Sequence, residues 1–425
     1  MPDFSVPLSG LDASSAALAT TANNLANLNT VGYKDQQIQF SDLFYQNLGS
    51  DGAGDPIQRG AGVQVSSQPT DFTQGDVTST GIDTDVAING NGFFVVQQNG
   101  VQTYTRAGNF EVGTDNLLET SDGQDVLGYP ATNGAINTSG GLSTIALGAG
   151  TSSPATATAN LQMTTNLDAT GGVGSTYSTQ ATIYDSLGAP HQLTITYTNT
   201  ATNTWSYQVS IPATDLSPIN GVAQTGVLQT GTLTFNGDGV LTSDTEGAGG
   251  ATNTPPVDIT GIPITGFADG ASNQTFSWNV LKGKSPVITQ LAAANSTASI
   301  QQDGTASGTL QSFTIGSDGT ITGSFSNGTT ATLGQIALAS FADQQGLSRN
   351  GDNTYSPTLA SGQPTIGAPT SGGLGSITDG ALEQSNVDIA TEFANLIVAQ
   401  RSYEANARVV TTYDQIAQDT IALKQ

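Results

Sequence analysis

The chain has 425 residues, no cysteine, and a formal charge of −25 with only nine Lys and Arg. That acidity excludes a duplex or RNA binder, which needs a basic surface to displace counterions from phosphates, and it argues against docking on anionic membranes. The missing cysteines remove disulfides, thiol nucleophiles and thiolate metal sites together, and the length allows roughly two to four domains with cores of their own. The opening MPDFSVPLSGLDASS has neither a basic n-region nor a continuous apolar h-region, so no Sec-type signal is read there. No apolar run approaches the ~20 residues that span a bilayer.

Residues 8–28 read as a helix: Leu11, Leu18 and Leu25 recur every seven residues, with Ser15 and Ala22 beside them. Ser9 and Asp12 have capping-box spacing, and Gly32 marks the stop. The stripe is narrow and lined by small residues, which predicts close helix contact rather than burial in a large core. Residues 33–75 lose the period and read as an extended connector. From 76 the period is two. Val86-Ala87-Ile88, then Asn89-Gly90-Asn91-Gly92, then Phe93-Phe94-Val95-Val96 predicts strand, type I′ turn and strand. Leu193, Ile195 and Tyr197 alternate with threonines, and Trp205, Tyr207, Val209 and Ile211 alternate with Ser and Gln. A short loop with Asn199 and Asn203 joins them, predicting a hairpin with one buried face. Similar runs recur at 232–235, 276–280, 313–325 and 333–341.

Residues 360–380 are Gly/Ser/Pro-rich and read as a return linker. Ser385 and Asp388 then cap a helix running to about Leu423. Leu396, Tyr403, Val410 and Ala417 form one heptad row, and Phe393, Gln400, Ala407, Asp414 and Ile421 its neighbour. Gln400 and Asp414 suit a bundle shared among several subunits and partly wet, although an isolated two-helix stem would use the same pattern. The expected fold class is therefore multidomain and mainly β, with sandwich- or barrel-like central domains. N- and C-terminal α-helices form a coiled-coil-like polymerisation domain. The expected layout is 1–32 with 381–425 helical; 33–75 and 360–380 connecting; 76–145 with 302–359 an inner β-domain; and 146–301 an outer β-domain.

Little suggests catalysis. His191 is the single histidine, which rules out a two-histidine zinc site, and a structural histidine at a strand edge is the plainer reading. The turns at Asn236-Gly237-Asp238-Gly239 and Ser317-Asp318-Gly319 complete no calcium loop and read as turn chemistry. Asp83 and Asp85 alternate onto one face of an expected strand, as solvated surface. No catalytic residue, cofactor or metal is predicted.

Three runs resemble the flagellar rod and hook protein family. One is Ala22-Asn23-Asn24-Leu25-Ala26-Asn27 with Asn29-Thr30-Val31-Gly32-Tyr33-Lys34. The second is Asp85 through Phe94, with Gly90, Gly92, Phe93 and Phe94. The third is Gly380-Ala381-Leu382-Glu383-Gln384-Ser385-Asn386-Val387-Asp388 followed by Ile397 through Tyr403, with Gln400 and Arg401. The length exceeds that of the family's rod subunits, and Thr182-Ile183-Tyr184-Asp185-Ser186-Leu187-Gly188 with His191 is similar to the outer domain of its hook branch. The resemblance implies a homopolymer: a curved hollow tube passing torque from rod to filament. Its implied partners are the distal rod below, hook–filament junction proteins above, a cap during assembly and the export apparatus. It implies an extracellular destination reached unfolded, without signal cleavage. Phe4 and Leu8 resemble an export-gate recognition pattern and equally fit packing at the start of the helix. A distal-rod subunit with an inserted domain, or a secreted β-rich adhesin or glycan-binding module, are the alternatives.

Overall fold

A computed structural model describes residues 5–50, 55–132, 134–148, 151–247 and 250–422. The chain divides into two compact units. Met1–Thr151, Gln311–Ser324 and Thr330–Gln425 form the terminal unit, and Ser152–Leu310 with Phe325–Thr329 the inserted unit. The protein is mainly β, with one long helix near each end. Neither helix is long and apolar enough to cross a membrane.

The inserted unit is a β-sandwich. Its larger sheet is a meander of Thr176–Tyr184, Pro190–Ala201, Thr204–Ser210, Val227–Phe235, Leu241–Glu246 and Thr252–Asn253. Alternation along these strands sorts the side chains. Ile195 opposes Val209 and Tyr197 opposes Tyr207, and all four are buried with Trp205 and Leu233 against Leu161, Met163, Ile262, Phe276 and Trp278 of the second sheet. Trp278 meets Tyr207 edge-on at 5.2 Å between ring centroids. Burying each such side chain is worth about 1.5–3 kcal/mol over leaving it exposed. Asn203, at φ +59, turns the hairpin tip, whereas Asn199 is not in that loop: it is buried at a bulge within the strand.

In the terminal unit the strand Phe93–Gln98 is buried on both faces. Phe94 and Val96 join a core with Phe110, Leu118 and Ile336, and Phe93 and Val95 join a second with Tyr104, Phe341 and Tyr355. The expected hairpin from Val86 to Val96 does not form. Val86–Asn89 pairs instead with Ser376–Asp379, and Phe93–Gln98 pairs with Val101–Thr105. The tight turn lies further on, at Asn99 (φ +52) and Gly100 (φ +82). The reason is burial: both runs are apolar on both sides, so each needs neighbours above and below. Gly90 and Gly92 carry a crossover whose carbonyls are needed elsewhere. Asp83 and Asp85 do not share a solvated face, since Asp85 is buried and Asp83 exposed.

The two connecting regions are more ordered than their composition suggests. Within 33–75, Gln39–Asp42 pairs with Val63–Ser67 and Gln46–Ser50 with Pro56–Arg59. Within 360–380, Thr365–Gly367 and Ser376–Asp379 join strands of the β-layer. Glycines and polar residues there serve edge strands and turns rather than a free tether.

Helix α1 spans Ser5–Ala26 and α2 spans Ile389–Ala422. Pro7 lies in the first turn of α1, where its missing N–H has no partner to lose. The expected Ser9/Asp12 capping box is absent because the helix already starts at Ser5. Ser9 Oγ instead donates to Val6 O at 2.8 Å and accepts from Val63 N at 3.2 Å. Asp388 caps α2, its Oδ1 accepting from Ala390 N (2.7 Å) and Thr391 N (3.1 Å).

Candidate functional site

The helices pack through small polar residues. On α1 the buried positions are Pro7, Ala13, Ser14, Thr20, Thr21 and Asn24. A Cβ on Gly10 would stand 2.9 Å from Asn406 Nδ2, and Asn406 Nδ2 donates to Ser14 Oγ at 3.4 Å. Leu11, Leu18 and Leu25 are half-buried beside this seam, roughly a quarter-turn away at ~100° per residue. Ala22 is exposed.

On α2, Leu396, Val410 and Ala417 are half-buried along the side that holds buried Glu392 and Ala399, while Tyr403 is 38% exposed. Of the neighbouring row Ala407 is half-buried, Gln400 and Asp414 are exposed, and Phe393 and Ile421 stand 48% and 65% exposed. Exposed apolar residues therefore occupy two flanks. Ile389, Phe393 and Ile397 form one; Val398, Val409 and Ile416 form the other, roughly 150° round the axis. Leu8 is exposed; Phe4 lies outside the described residues.

At the base of the helix pair the three motif runs meet in a buried hydrogen-bonded knot. Asn23 Nδ2 donates to the Tyr33 hydroxyl (3.0 Å), which donates to Asn24 Oδ1 (3.2 Å), and Asn24 Nδ2 donates to Gln36 O (2.8 Å). Asn27 Nδ2 donates back to Asn23 O (2.9 Å) and its Oδ1 accepts from Thr30 (3.1 Å), tightening the turn that ends α1. From the other end of the chain, Asn386 Oδ1 accepts from Asp35 N (2.8 Å) and its Nδ2 donates to Asp71 O (2.9 Å). Gly32 sits at φ +65 and donates to Glu383 O at 2.7 Å. A side chain there would drive Cβ to 2.7 Å from the backbone of Arg106 and Ala107, so the position needs glycine for both angle and space.

The charged centre of the knot is fully enclosed. Lys34 Nζ lies 2.6 Å from Glu383 Oε1, with neither side chain exposed, and also donates to Thr73 O at 2.6 Å. Gly75 N donates to the same carboxylate oxygen (3.0 Å), and Arg106 Nε approaches Glu383 Oε2 at 3.5 Å. Arg106 Nη1 donates to Gly90 O (2.8 Å) and Gly92 O (3.0 Å), which fixes the crossover in front of the buried Phe93 and Phe94. Arg349 Nη2 donates to Lys34 O at 2.7 Å, and its guanidinium stacks over Tyr33 at 5.4 Å. Burial pulls the Lys34 ammonium below its usual range, against the opposing pull of Glu383, and burial likewise lowers Arg106. Asp35 beside the knot is pushed up to about 6, first by burial and then by the charges of Glu392 and Asp71. Asp35 also borders a groove of about 600 Å³ between the helices and the segment after α1, lined by Ala17, Phe40 and Val398 among others.

The knot thus gathers Asn23, Asn24, Asn27, Gly32, Tyr33, Gly90, Gly92 and Asn386. It leaves out Gln400 and Arg401, which are exposed on α2 with Arg401 3.6 Å from Glu404. The four charged residues at its heart, Lys34, Arg106, Arg349 and Glu383, were not among the predicted site residues. A signal existed: Lys34 and Glu383 lie inside the motif runs, and Arg106 and Arg349 are two of only four bases between residues 71 and 379. In so acid a chain, scarce cations are worth tracing.

Four models of flagellar basal-body and hook proteins match segments of the chain. They are described as flagella basal body rod protein (residues 5–34), flagellar hook protein FlgE/F/G D1 domain (87–164), flagellar basal body protein FlaE D2 domain (151–305) and flagellar basal body rod FlgEFG protein C-terminal (378–423). The flagellar hook protein FlgE of Escherichia coli is 35% identical over 99% of this chain and 100% of its own length. That of Borreliella burgdorferi is 33% identical over 98% of each. Among solved structures, the Helicobacter pylori flagellar hook protein FlgE2 covers 72% of this chain and 100% of its own at TM-score 0.47 and 14% identity. The chain belongs to the flagellar hook protein FlgE family.

Proposed function

We propose that this chain is the structural subunit of the bacterial flagellar hook and not an enzyme. It assembles with copies of itself into a curved hollow tube, a universal joint carrying torque from rod to filament. One observation in the structure supports polymerisation through the helices: α2 presents apolar residues on two flanks besides the seam it shares with α1. A two-helix stem would have one apolar side. Two further apolar flanks suit a helix surrounded by helices of neighbouring copies. On this reading Leu11, Leu18, Ala22, Leu25, Phe393, Leu396, Tyr403, Ala407, Val410, Ala417 and Ile421 line the inner wall. The knot around Lys34 and Glu383 then holds the helices to the β-layer, so that twist passes from one to the other.

The tube would stand on the distal rod, carry the hook–filament junction proteins above, and grow under a cap. Its subunits would leave the cell through the export apparatus without signal cleavage, with Leu8 and Phe4 as part of the export signal, and the hook would lie outside the cell. Electron microscopy of basal bodies from a strain lacking the gene tests the assignment. Complete rods without hooks are expected, whereas missing distal rods would make it a rod protein and intact hooks would overturn it. In the same strain, Phe393→Ser with Ile397→Ser is expected to restore no hooks while leaving the melting curve of the purified monomer within about 0.5 kcal/mol of the parent. Normal hooks from that variant would remove this flank from the polymer contact.

A further inference from the structure

We propose that the inserted unit carries a divalent transition-metal site of the zinc class, with His191 Nε2, Asp185 Oδ2 and Asp269 Oδ2 as ligands and Asp215 as the residue that orients the imidazole. His191 Nε2 lies 3.3 Å from Asp185 Oδ2 and 3.9 Å from Asp269 Oδ2, and ligand atoms of the three side chains lie within 4.8 Å of one another. Around an ion bonded at ~2.0–2.2 Å, tetrahedral ligand atoms stand roughly 3.3–3.5 Å apart. The first pair is already at that span. The third ligand closes by a movement of about 1 Å, for which the Asp269 side chain, 33% exposed, has room.

What sets this group apart from a chance meeting of charges is that every ligand is held by its other polar atom. Nδ1 of His191 lies 3.0 Å from Asp215 Oδ2. Oδ1 of Asp185 accepts from Leu187 N (2.9 Å) and Ala189 N (2.8 Å). Oδ1 of Asp269 accepts from Ala271 N at 3.1 Å. Phe267 packs against the imidazole at 4.8 Å and fixes the ring plane. A carboxylate on Nδ1 selects the tautomer whose Nε2 lone pair is free, which is how metal-binding histidines are usually oriented. That lone pair then faces two carboxylate oxygens. An imidazolium would satisfy Asp215 and Asp185 from its two ring nitrogens, whereas a metal ion on Nε2 would serve Asp269 as well.

The donor set fixes the class of ion. One imidazole with two carboxylates suits zinc and its neighbours in the first transition row, while calcium takes six to eight oxygens and magnesium prefers waters and oxygens in an octahedron. Asp185 and His191 flank the turn between Thr176–Tyr184 and Pro190–Ala201 of the larger sheet; Asp269 follows Ile259–Ile264 of the smaller. A bound ion would clamp the two sheets together at one end of the sandwich.

The test is calorimetric titration of the chelator-treated full-length chain with zinc chloride near neutral pH, repeated with cobalt(II) as a spectroscopic probe. One zinc per chain is expected, with cobalt giving the ligand-field absorption of a four- or five-coordinate ion that zinc displaces. Asp269→Asn, at a partly exposed position, and His191→Gln should each weaken binding at least 10-fold, and Asp215→Asn by roughly 10–100-fold. Zinc should also raise the melting temperature read by tryptophan fluorescence, since both tryptophans, Trp205 and Trp278, lie in this unit. The proposal is overturned by the absence of saturable binding to the parent chain. Binding that survives unchanged in folded Asp269→Asn overturns it too, as does calcium binding as tightly as zinc.

Discussion

In the inserted unit four large side chains, Trp205, Tyr197, Tyr207 and Trp278, are shielded almost completely by residues of the same chain. The helix α2 is 34 residues long, and only Glu392 and Ala399 are buried along it. The same polypeptide thus contains a region that closes its own core and one that leaves its apolar flanks open. Alternation at period two lets a strand hand one face to a partner sheet a few residues away. A single antiparallel helix contact covers only one stripe, so the remaining apolar rows stay exposed. The knot at the helix base, within the terminal unit, is closed by hydrogen bonds and buried charge rather than by apolar packing.

The difference can be broken most directly in the sandwich. Trp278→Ala should cost about 3–5 kcal/mol, as large-to-small changes in closed cores do, seen as a lower denaturant midpoint by fluorescence of the remaining Trp205. A loss under 1 kcal/mol would mean that this core is not closed as described. The knot should be nearly as sensitive for a different reason. Glu383→Gln leaves the buried Lys34 ammonium without its charge partner, and about 3–5 kcal/mol of destabilisation is expected. Adding Lys34→Met should recover much of it, since no unpaired ammonium then remains; a double variant worse than the single would refute the pair as the cause. Far-UV circular dichroism during urea unfolding reads both.

A smaller effect sharpens the contrast by its pH dependence. Asp35 is raised to about 6 in the fold, against ~3.9 for a free side chain. The folded chain therefore binds more protons than the unfolded one between these values, so stability falls as pH rises through that window. Asp35→Asn should stabilise the terminal unit by about 1 kcal/mol near neutrality, below the full ~1.4 kcal/mol per unit because the site is partly solvated. The gain should vanish below about pH 4. Equal gains at both pH values would show that charge is not what burdens this residue.

The two regions also differ in how far they could be read without coordinates. Leu193 through Ile211 declared their buried face by alternation, and the structure pairs them as that pattern requires. The run Val86–Val96 carries an Asn-Gly turn signal but apolar residues on both sides, and it misled: burial on two faces sent Val86–Asn89 to Ser376–Asp379, distant in sequence, and left Phe93–Gln98 to turn back on Val101–Thr105. The motif runs held the knot's asparagines and glycines and also Lys34 and Glu383, but that these charges pair was not legible, because ion pairs leave no periodic trace.

Composition, period and motif order by themselves determined a β-rich chain with a helix at each end, its family resemblance and the absence of any cysteine chemistry. These are local or additive properties, written in the spacing of side chains along the strand or helix. Only the tertiary structure decided which face of α1 meets α2, why Gly32 admits no side chain, and that Lys34 would find Glu383 from the far end of the chain. It alone set Asp185, Asp215 and Asp269 around the single histidine. Those outcomes depend on contacts between residues tens to hundreds of positions apart, where long-range packing and desolvation, not local propensity, choose the partner.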